Sequence, residues 1–238
     1  MYRVALLTTI ILLAAAPCHT RAQEKPEEQF RVEPGRTAAE YYNIGNWYAE
    51  RDQHYRAIAY YKASVAADAR FARAWVNMGA SYRATGRHDD AVAAYRAAID
   101  AGFDENFIYL NLGNAYLSAA RRREAVSAFR TFTTLEPYDP DGYANLGIAL
   151  FQLQEYTQAA EVFEKFLILD EENAYFHFQA ARCYVLLKRF DDAAAKLRTA
   201  LQLDPNVRYA LLQDDDFKAF RRSPQYRQLL TEGRIQEK

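Results

Sequence analysis

The amino-acid sequence predicts an all-α solenoid of five helical hairpins, closed at its carboxyl end by short capping helices. The first observation behind this prediction is a period of 34 residues that runs through most of the chain. It is clearest in a series of small residues: Gly45, Gly79, Gly113, Gly147 and Ala181. A second series keeps the same interval: Ala57, Ala91, Ala125, Ala159 and Ala193. Repetition at a fixed period of this length is typical of stacked-repeat architectures.

Large side chains accompany both series at helical spacing, which is the second observation. A ring precedes each member of the first series by four positions: Tyr41, Trp75, Tyr109, Tyr143 and His177. A large apolar side chain follows each alanine of the second series by four positions: Tyr61, Tyr95, Phe129, Phe163 and Leu197. Because a helix turns about 100° per residue, this spacing defines one packed face on each of two helices per unit. Each unit is therefore predicted to be a helical hairpin.

Four glycines lie inside the first predicted helix of their units, where glycine is unfavourable. Each costs about 0.5–1 kcal/mol relative to alanine in a helix interior. We expect a close approach of two helices to offset this cost. The glycine of the first helix and the alanine of the second would lie at the crossing, with the flanking rings closing over it.

The recurring pattern of ring, Leu-Gly, Tyr, Ala, Phe and Pro resembles the tetratricopeptide repeat (TPR) family. Five units match in register, at residues 38–71, 72–105, 106–139, 140–173 and 174–205. The proline that ends the pattern is present in the third and fifth units only, as Pro137 and Pro205, and His177 with Ala181 makes the fifth unit less typical. The resemblance implies a right-handed superhelix in which the first helix of every hairpin lines the concave surface.

The segment before the repeats is predicted to direct export. Arg3 gives residues 1–22 a positive start, and the apolar run that follows is too short to span a bilayer. We therefore interpret residues 1–22 as a secretory signal peptide that is cleaved after Ala22. Residues 23–37 contain prolines among charged residues and are interpreted as a flexible leader.

Export is expected to lead to the bacterial periplasm, since no asparagine lies in an N-glycosylation pattern. Cys18 leaves a second hypothesis open, because a cysteine after an apolar segment can carry the lipid of a bacterial lipoprotein. Pro17 directly before it argues against cleavage there. Membrane association is expected only if Cys18 is lipidated, and secretion is a further alternative.

The segment after the repeats is predicted to cover the end of the solenoid. Residues 206–238 place apolar side chains at near-helical spacing on both sides of Ser223 and Pro224. We interpret them as two short capping helices and a polar tail, because an open solenoid end would leave apolar surface in water.

Composition argues against several classes of function. Lys and Arg number 30 against 31 Asp and Glu, so the formal charge is −1 and no broad positive field attracts nucleic acid. The sequence contains no Gly-rich phosphate loop and no HExxH or GxSxG motif. We therefore predict no catalytic residue, no metal site and no cofactor.

Polar and aromatic residues of the first helices are the candidate binding residues. The sixth position of the unit carries an amide every 34 residues: Asn43, Asn77, Asn111, Asn145 and Gln179. The ninth position adds two more amides: Asn46 and Asn114. Other groove candidates are rings and arginines: Tyr42, Phe107, Tyr175, Phe178, Arg73, Arg83 and Arg182. An amide both donates and accepts hydrogen bonds, which suits the backbone of an extended peptide. The alternatives are that these amides bond neighbouring helices and that some rings pack between repeats.

These observations predict a non-catalytic extracytoplasmic scaffold that binds another protein, or an extended peptide of it, in the concave groove. The chaperone-binding members of the resembled family grip a terminal carboxylate with a set of Lys, Asn and Arg, and Tyr42 stands where the first lysine would be. An alternative function is a fixed structural subunit of an envelope assembly, which would use the convex face or the leader. A third is an enzyme or carbohydrate binder that acts on cell-wall material.

Overall fold

The computed structural model describes residues 30–233, in which helices follow one another along the chain. The predicted signal peptide with Cys18, the first part of the leader and residues 234–238 lie outside the described residues. The α-helices are α1 (Ala38–Ala49), α2 (His54–Ala67), α3 (Ala72–Ala84), α4 (His88–Asp100), α5 (Phe107–Ser118), α6 (Arg122–Leu135), α7 (Pro140–Gln152), α8 (Tyr156–Leu169), α9 (Ala174–Leu186), α10 (Phe190–Leu203), α11 (Val207–Gln213) and α12 (Pro224–Thr231). The predicted all-α repeat fold is confirmed.

Ten of these helices form five hairpins arranged in two layers. Each helix from α1 to α10 packs against the next one along the chain. The first helices of successive hairpins also contact each other, as α1 does α3, α3 does α5 and α5 does α7. The odd-numbered helices therefore form the more closely spaced inner layer of the stack, and the even-numbered helices form the outer layer. None of the helices in the described part combines the length and apolarity needed to cross a bilayer.

The glycines of units one to four make a close approach, as the sequence predicts, but the partner is a ring. A Cβ atom added to Gly45 would lie 2.5 Å from Cε1 of Tyr61, and one added to Gly79 would lie 2.8 Å from Cε1 of Tyr95. Gly113 and Gly147 meet Phe129 and Phe163 in the same way. The alanine of the second helix is also buried, but it is the ring that fills the space beside the glycine, because glycine has no side chain.

Unit five uses the same two positions with different residues. Ala181 replaces the glycine and Leu197 replaces the ring, and both are fully buried. The smaller partner on α10 leaves space for the extra methyl group of the alanine. The departure that the sequence shows in this unit is therefore a paired change of volume.

The turn inside each hairpin has left-handed backbone geometry at one position per unit: Asp52, Gly86, Ala120, Gln154 and Lys188, with φ between 57° and 76°. The N–H of the next residue returns to a helix carbonyl, as Arg87 N donates to Tyr82 O at 2.9 Å. This is the Schellman ending of an α-helix. Glycine suits it best, but only the second unit has glycine there.

The carboxyl end of the stack is covered by α11, two 3-10 helices (Asp215–Lys218 and Phe220–Arg222) and α12. Leu211, Phe217, Phe220 and Leu229 of this region are fully buried. They pack on α9 and α10, because α11 contacts both helices, the first 3-10 helix contacts α9, and α12 contacts α10. The last hairpin thus buries its outer side as the inner hairpins do.

Candidate functional site

The candidate site is the concave face of the inner layer, to which α1, α3, α5, α7 and α9 contribute. All the candidate residues named from the sequence lie on these five helices. Packing of each helix on its hairpin partner leaves the sixth and ninth positions of the units on the opposite side. The structure then divides the candidates into side chains that are already bonded and side chains that are open.

Two members of the amide series are bonded within the protein. Asn77 Nδ2 donates to Asn46 Oδ1 at 2.8 Å and to the hydroxyl oxygen of Tyr42 at 3.1 Å. Asn145 Nδ2 donates to the carbonyl oxygen of Asp141, one turn earlier in its own helix, at 2.8 Å. The alternative that these amides bond neighbouring helices therefore describes Asn77, whereas Asn145 is bonded within its own helix.

The other amides have no such partner. Asn43 is exposed, and Asn111, Asn114 and Gln179 are partly exposed. Their side chains form no hydrogen bond with any residue between positions 30 and 233. These four amides are therefore the members of the candidate set that can exchange hydrogen bonds with a ligand.

At the junction between units one and two, the side chains of Asn46, Tyr61 and Asn77 form a hydrogen-bonded network at the base of the groove, which we call the polar floor. The hydroxyl of Tyr61 donates to Asn46 Oδ1 at 2.8 Å, so this oxygen receives both Tyr61 and Asn77. A cavity of about 320 Å³ opens beside the network, and its lining includes Glu50, His54 and Ser81. The sequence analysis did not include Tyr61, His54 or Ser81 among the candidates. The spacing of Tyr61 assigned its side chain to the packed face. Its hydroxyl nevertheless passes the glycine and reaches the concave side.

Burial governs the titration of the tyrosines in the outer layer. Desolvation raises the pKa of Tyr61 far above its usual value, and the hydrogen bond of the Asn77 amide opposes that shift. Desolvation also raises the pKa of Tyr95, and the positive charge of Arg83 opposes it. Both phenols are therefore neutral hydrogen-bonding groups at physiological pH.

The two arginines of α3 are available for binding. Arg73 and Arg83 are exposed and form no ion pair within the described residues. Neither α3 nor α5 contains an acidic residue. This section of the groove therefore combines positive charge with free amide groups.

The candidate rings differ in exposure. Phe107 is 39% exposed and rests its edge on Phe103, with ring centroids 5.4 Å apart. Tyr175 is half-buried and contacts Phe176. Tyr42 packs between Tyr61 and Phe71. Of these three rings, only Phe107 offers a large apolar surface to a ligand.

Two of the candidate residues, Phe178 and Arg182, contact the capping region, and their prediction as groove residues is wrong. Phe178 is buried and stacks on Phe217, with ring centroids 5.0 Å apart, so it is not a groove residue. Arg182 is held by two carboxylates, with Nε 2.6 Å from Asp216 and 3.2 Å from Asp214. Sequence reasoning placed both on the open face because it could not place residues 214–217 over them. On α9 the groove thus keeps Gln179 and Tyr175, which are partly exposed, and loses Phe178 and Arg182.

Groups with reactive chemistry are few in the described part of the chain. Cys183 is a free, buried thiol, and burial raises its pKa to about 12. A thiol with so high a pKa has almost no nucleophilic thiolate at neutral pH. No group of three His, Cys, Asp or Glu side chains within residues 30–233 is placed to hold a metal ion.

Solved structures with the same fold are repeat proteins. YrrB, whose structure is described as a TPR protein with an unusual peptide-binding site, is 20% identical and superposes with a TM-score of 0.67 over 74% of this chain and 90% of its own. A crystal structure of MamA gives 21% identity and a TM-score of 0.67 over 71% of this chain and 92% of its own. MamA from Desulfovibrio magneticus RS-1 gives 19% and 0.65, over 71% and 96%. At this identity the likeness concerns the fold alone.

The repeat pattern itself identifies the family. No curated protein matches the chain significantly. The sequence model of the tetratricopeptide repeat matches residues 42–104, 110–174 and 145–207, which together make up more than half of the chain. Proteins of this kind are generally non-catalytic modules that bind proteins or peptides. With its five stacked hairpins and its 34-residue period, the chain belongs to the tetratricopeptide repeat family.

Proposed function

We propose that this protein is a non-catalytic adaptor outside the cytoplasm, which binds an extended segment of another protein in its concave groove. One observation carries the proposal: Asn111 and Asn114 lie one turn apart on α5 with side-chain amides that have no partner in the described part of the chain. Polar groups that a fold leaves unpaired are available to a ligand at low cost, since no internal bond must be broken.

The chemistry of α5 and its neighbours suits an extended peptide. An amide can donate to a backbone carbonyl and accept from a backbone N–H, so it binds main chain without demanding a particular side chain. Phe107 adds an exposed ring at the start of α5, and Arg73 and Arg83 add charge on α3. The helices that carry these groups are rigid, so little ordering of the protein is needed on binding.

Location outside the cytoplasm is proposed from the sequence. The signal-peptide pattern of residues 1–22 supports export to the periplasm of a bacterium. Sequencing the amino terminus of the protein purified from its native cells tests this step. Cleavage after Ala22 is the expected result, a lipid on Cys18 would indicate an anchored form, and retention of Met1 would contradict export.

Site-specific photocrosslinking tests the groove. A benzoylphenylalanine residue in place of Phe107 should crosslink to the partner in intact cells, and the same residue in place of Ser127 on the exposed side of α6 should not. The double change Asn111→Ala and Asn114→Ala should abolish the crosslink at position 107 while the protein keeps its melting temperature. An unchanged crosslink from the double variant would move binding elsewhere.

A second candidate function is a fixed structural subunit, and exposed apolar side chains favour it. Leu135, Leu169 and Leu203 end three successive outer helices at 34-residue intervals and are 36–44% exposed. Ile168, beside them, is 81% exposed. An apolar row of this kind marks a surface that other proteins cover. If this function holds, Ile168→Glu should release the protein from a stable complex, and the Asn111 and Asn114 changes should leave the complex intact.

A further inference from the structure

In the polar floor between units one and two, the hydrogen-bond donors of the groove are paired with an acceptor from the protein itself. There the carboxamide oxygen of Asn46 accepts two hydrogen bonds at 2.8 Å, one from the hydroxyl of Tyr61 and one from the amide of Asn77. Asn46 is the ninth residue of unit one, Tyr61 belongs to its second helix, and Asn77 is the sixth residue of unit two. One acceptor oxygen thus joins a phenol and an amide from two units.

One unit later the donors remain but the acceptor is missing. Tyr95 and Asn111 occupy the positions equivalent to Tyr61 and Asn77, while Ala80 replaces Asn46 and Val76 replaces Tyr42, the second acceptor of Asn77. Tyr95 is 1% exposed, and its hydroxyl is buried without a hydrogen-bond partner in the described part of the chain. A buried hydroxyl left unpaired is costly. The next two units avoid the cost, since they have Phe129 and Phe163 at this position.

The surroundings of Ala80 favour a particular kind of acceptor. Asn111, the equivalent of Asn77, supplies an amide that lacks a hydrogen-bond partner within residues 30–233, and Arg83, on the same helix as Ala80, supplies a guanidinium that lacks an ion pair there. Burial raises the pKa of Tyr95, and the positive charge of Arg83 opposes that shift, as expected of a guanidinium on the neighbouring helix. Neither α3 nor α5 carries a carboxylate that could fill the gap. Glu50, which follows α1, lines a cavity together with Ala80, on the side of unit one. A donor set that includes a guanidinium prefers a carboxylate to a neutral carbonyl.

We propose that the groove above Ala80 binds a carboxylate side chain, Asp or Glu, of the extended segment. The carboxylate oxygens accept hydrogen bonds from the hydroxyl of Tyr95 and the amide of Asn111, and the charge is balanced by Arg83. The inference rests on the proposed peptide-binding function and adds its specificity. The side chains that cover the Tyr95 hydroxyl turn aside when the segment enters, a rotamer change of the kind common at protein interfaces.

The carboxyl end of the stack shows an arginine of the inner layer that is bound to acidic residues of the chain itself. Arg182, the ninth residue of unit five, binds the carboxylates of Asp214 and Asp216. An acidic segment therefore already occupies the position that follows unit five. The proposed site would hold an acidic residue of another protein at the position that follows unit two.

A randomised nonapeptide library displayed on phage and selected on the purified protein tests the inference. Selected peptides should share Asp or Glu at one fixed position. In a synthetic selected peptide, replacing that residue with its isosteric amide should weaken binding about tenfold, which corresponds to loss of one charge-assisted contact. Fluorescence anisotropy with a labelled peptide measures the dissociation constants.

Ala80→Asn is the decisive variant, because the oxygen of the introduced amide would replace the acceptor oxygen that the ligand is proposed to bring. It should raise the melting temperature and weaken the selected acidic peptide about tenfold or more. It should also remove the preference for the acid over the amide. Ala93→Asn on α4 is the matched control, since Ala93 is exposed on the outer layer, and it should leave the affinity unchanged.

The outcomes separate the inference from the proposed function. Selected peptides without a shared acid, or equal binding by the Ala80→Asn variant, would overturn the carboxylate site. If such peptides still lose affinity in the Asn111→Ala and Asn114→Ala variant, the groove function stands without it. Failure to select any peptide above background overturns both.

Discussion

Units one and two have the same crossing, in which a glycine packs on a tyrosine ring, but the polar floors of the junctions that follow them differ. In the first junction the oxygen of Asn46 is bonded to Tyr61 and Asn77. In the second, Ala80 provides no oxygen, and the hydroxyl of Tyr95 is buried without a partner in the described part of the chain. The hydroxyl of Tyr42 is lost as well, because Val76 stands at the equivalent position. Two residues thus decide whether a junction is internally satisfied or left open to a ligand.

The difference shows how a repeat protein can separate stability from binding. Neighbouring units pack through rings and small residues that barely change along the array, so the stack persists whatever lies on the floor. The polar floor can then vary from unit to unit. A closed floor adds stability, and an open floor keeps hydrogen-bonding groups for a partner at some cost to the fold.

The largest expected effect tests whether the crossing beneath the two junctions is the same. Gly45→Leu and Gly79→Leu should each lower the free energy of unfolding by about 3 kcal/mol, because either side chain would collide with the ring packed on the glycine. Urea denaturation followed by circular dichroism measures both values. If only one of the two substitutions lowered the free energy of unfolding, the two units would differ in packing as well as in polarity.

Opening the closed floor should have the next largest effect. Asn46→Ala should lower the free energy of unfolding by about 2 kcal/mol, because it removes two hydrogen bonds and leaves the Tyr61 hydroxyl buried and unpaired. Asn114→Ala is the matched control at the same position two units later. Its side chain has no hydrogen-bond partner among residues 30–233, so a change within about 0.5 kcal/mol is expected. Equal losses in the two variants would contradict the distinction.

Removing the two hydroxyls should give a smaller and opposite pair of effects. Tyr61→Phe deletes a hydrogen bond and should cost about 1 kcal/mol, as measured by urea denaturation. Tyr95→Phe deletes a buried hydroxyl that has no partner in residues 30–233, and should leave stability unchanged or raise it slightly. A clear loss from Tyr95→Phe would show that this hydroxyl is satisfied in solution, and the second junction would then be closed.

The smallest effect expected is in the response to alkali. Burial raises the pKa of Tyr61 and of Tyr95, so the folded protein holds these protons more tightly than the unfolded chain does. Their contribution is complete below the unfolded pKa of about 10 and is lost as the pH rises through the folded pKa. Tyr61→Phe and Tyr95→Phe should each flatten the decline of melting temperature above that pH. Tyr138→Phe, at a position that is 85% exposed, should not.

Much of the fold was predictable from short-range patterns. The 34-residue period places Gly45, Ala57 and Tyr61 at spacings that define both helices of a hairpin, and each hairpin packs mainly on the next. Because its contacts are local and repeated, a solenoid can be predicted from its sequence. The left-handed turn residues were less visible, because four of the five are not glycine and only the geometry of the helix ends reveals them.

The candidate site was predictable as a surface but not as a set of available groups. Asn77 and Asn111 occupy the same repeat position, so nothing in their own helices distinguishes the bonded amide from the open one. The distinction depends on the preceding unit, in which Asn46 and Tyr42 accept from Asn77 whereas Ala80 and Val76 stand at the equivalent positions before Asn111. Phe178 was misplaced for a similar reason, since a ring from the capping region covers it.

The sequence by itself determined the helices, their pairing and the order of the stack, because those follow from side-chain size repeated at helical spacing along a continuous chain. Only the tertiary structure decided which polar side chains are satisfied and which remain open. A hydrogen bond requires two atoms within about 3 Å of each other, and here those atoms belong to helices that meet across neighbouring units.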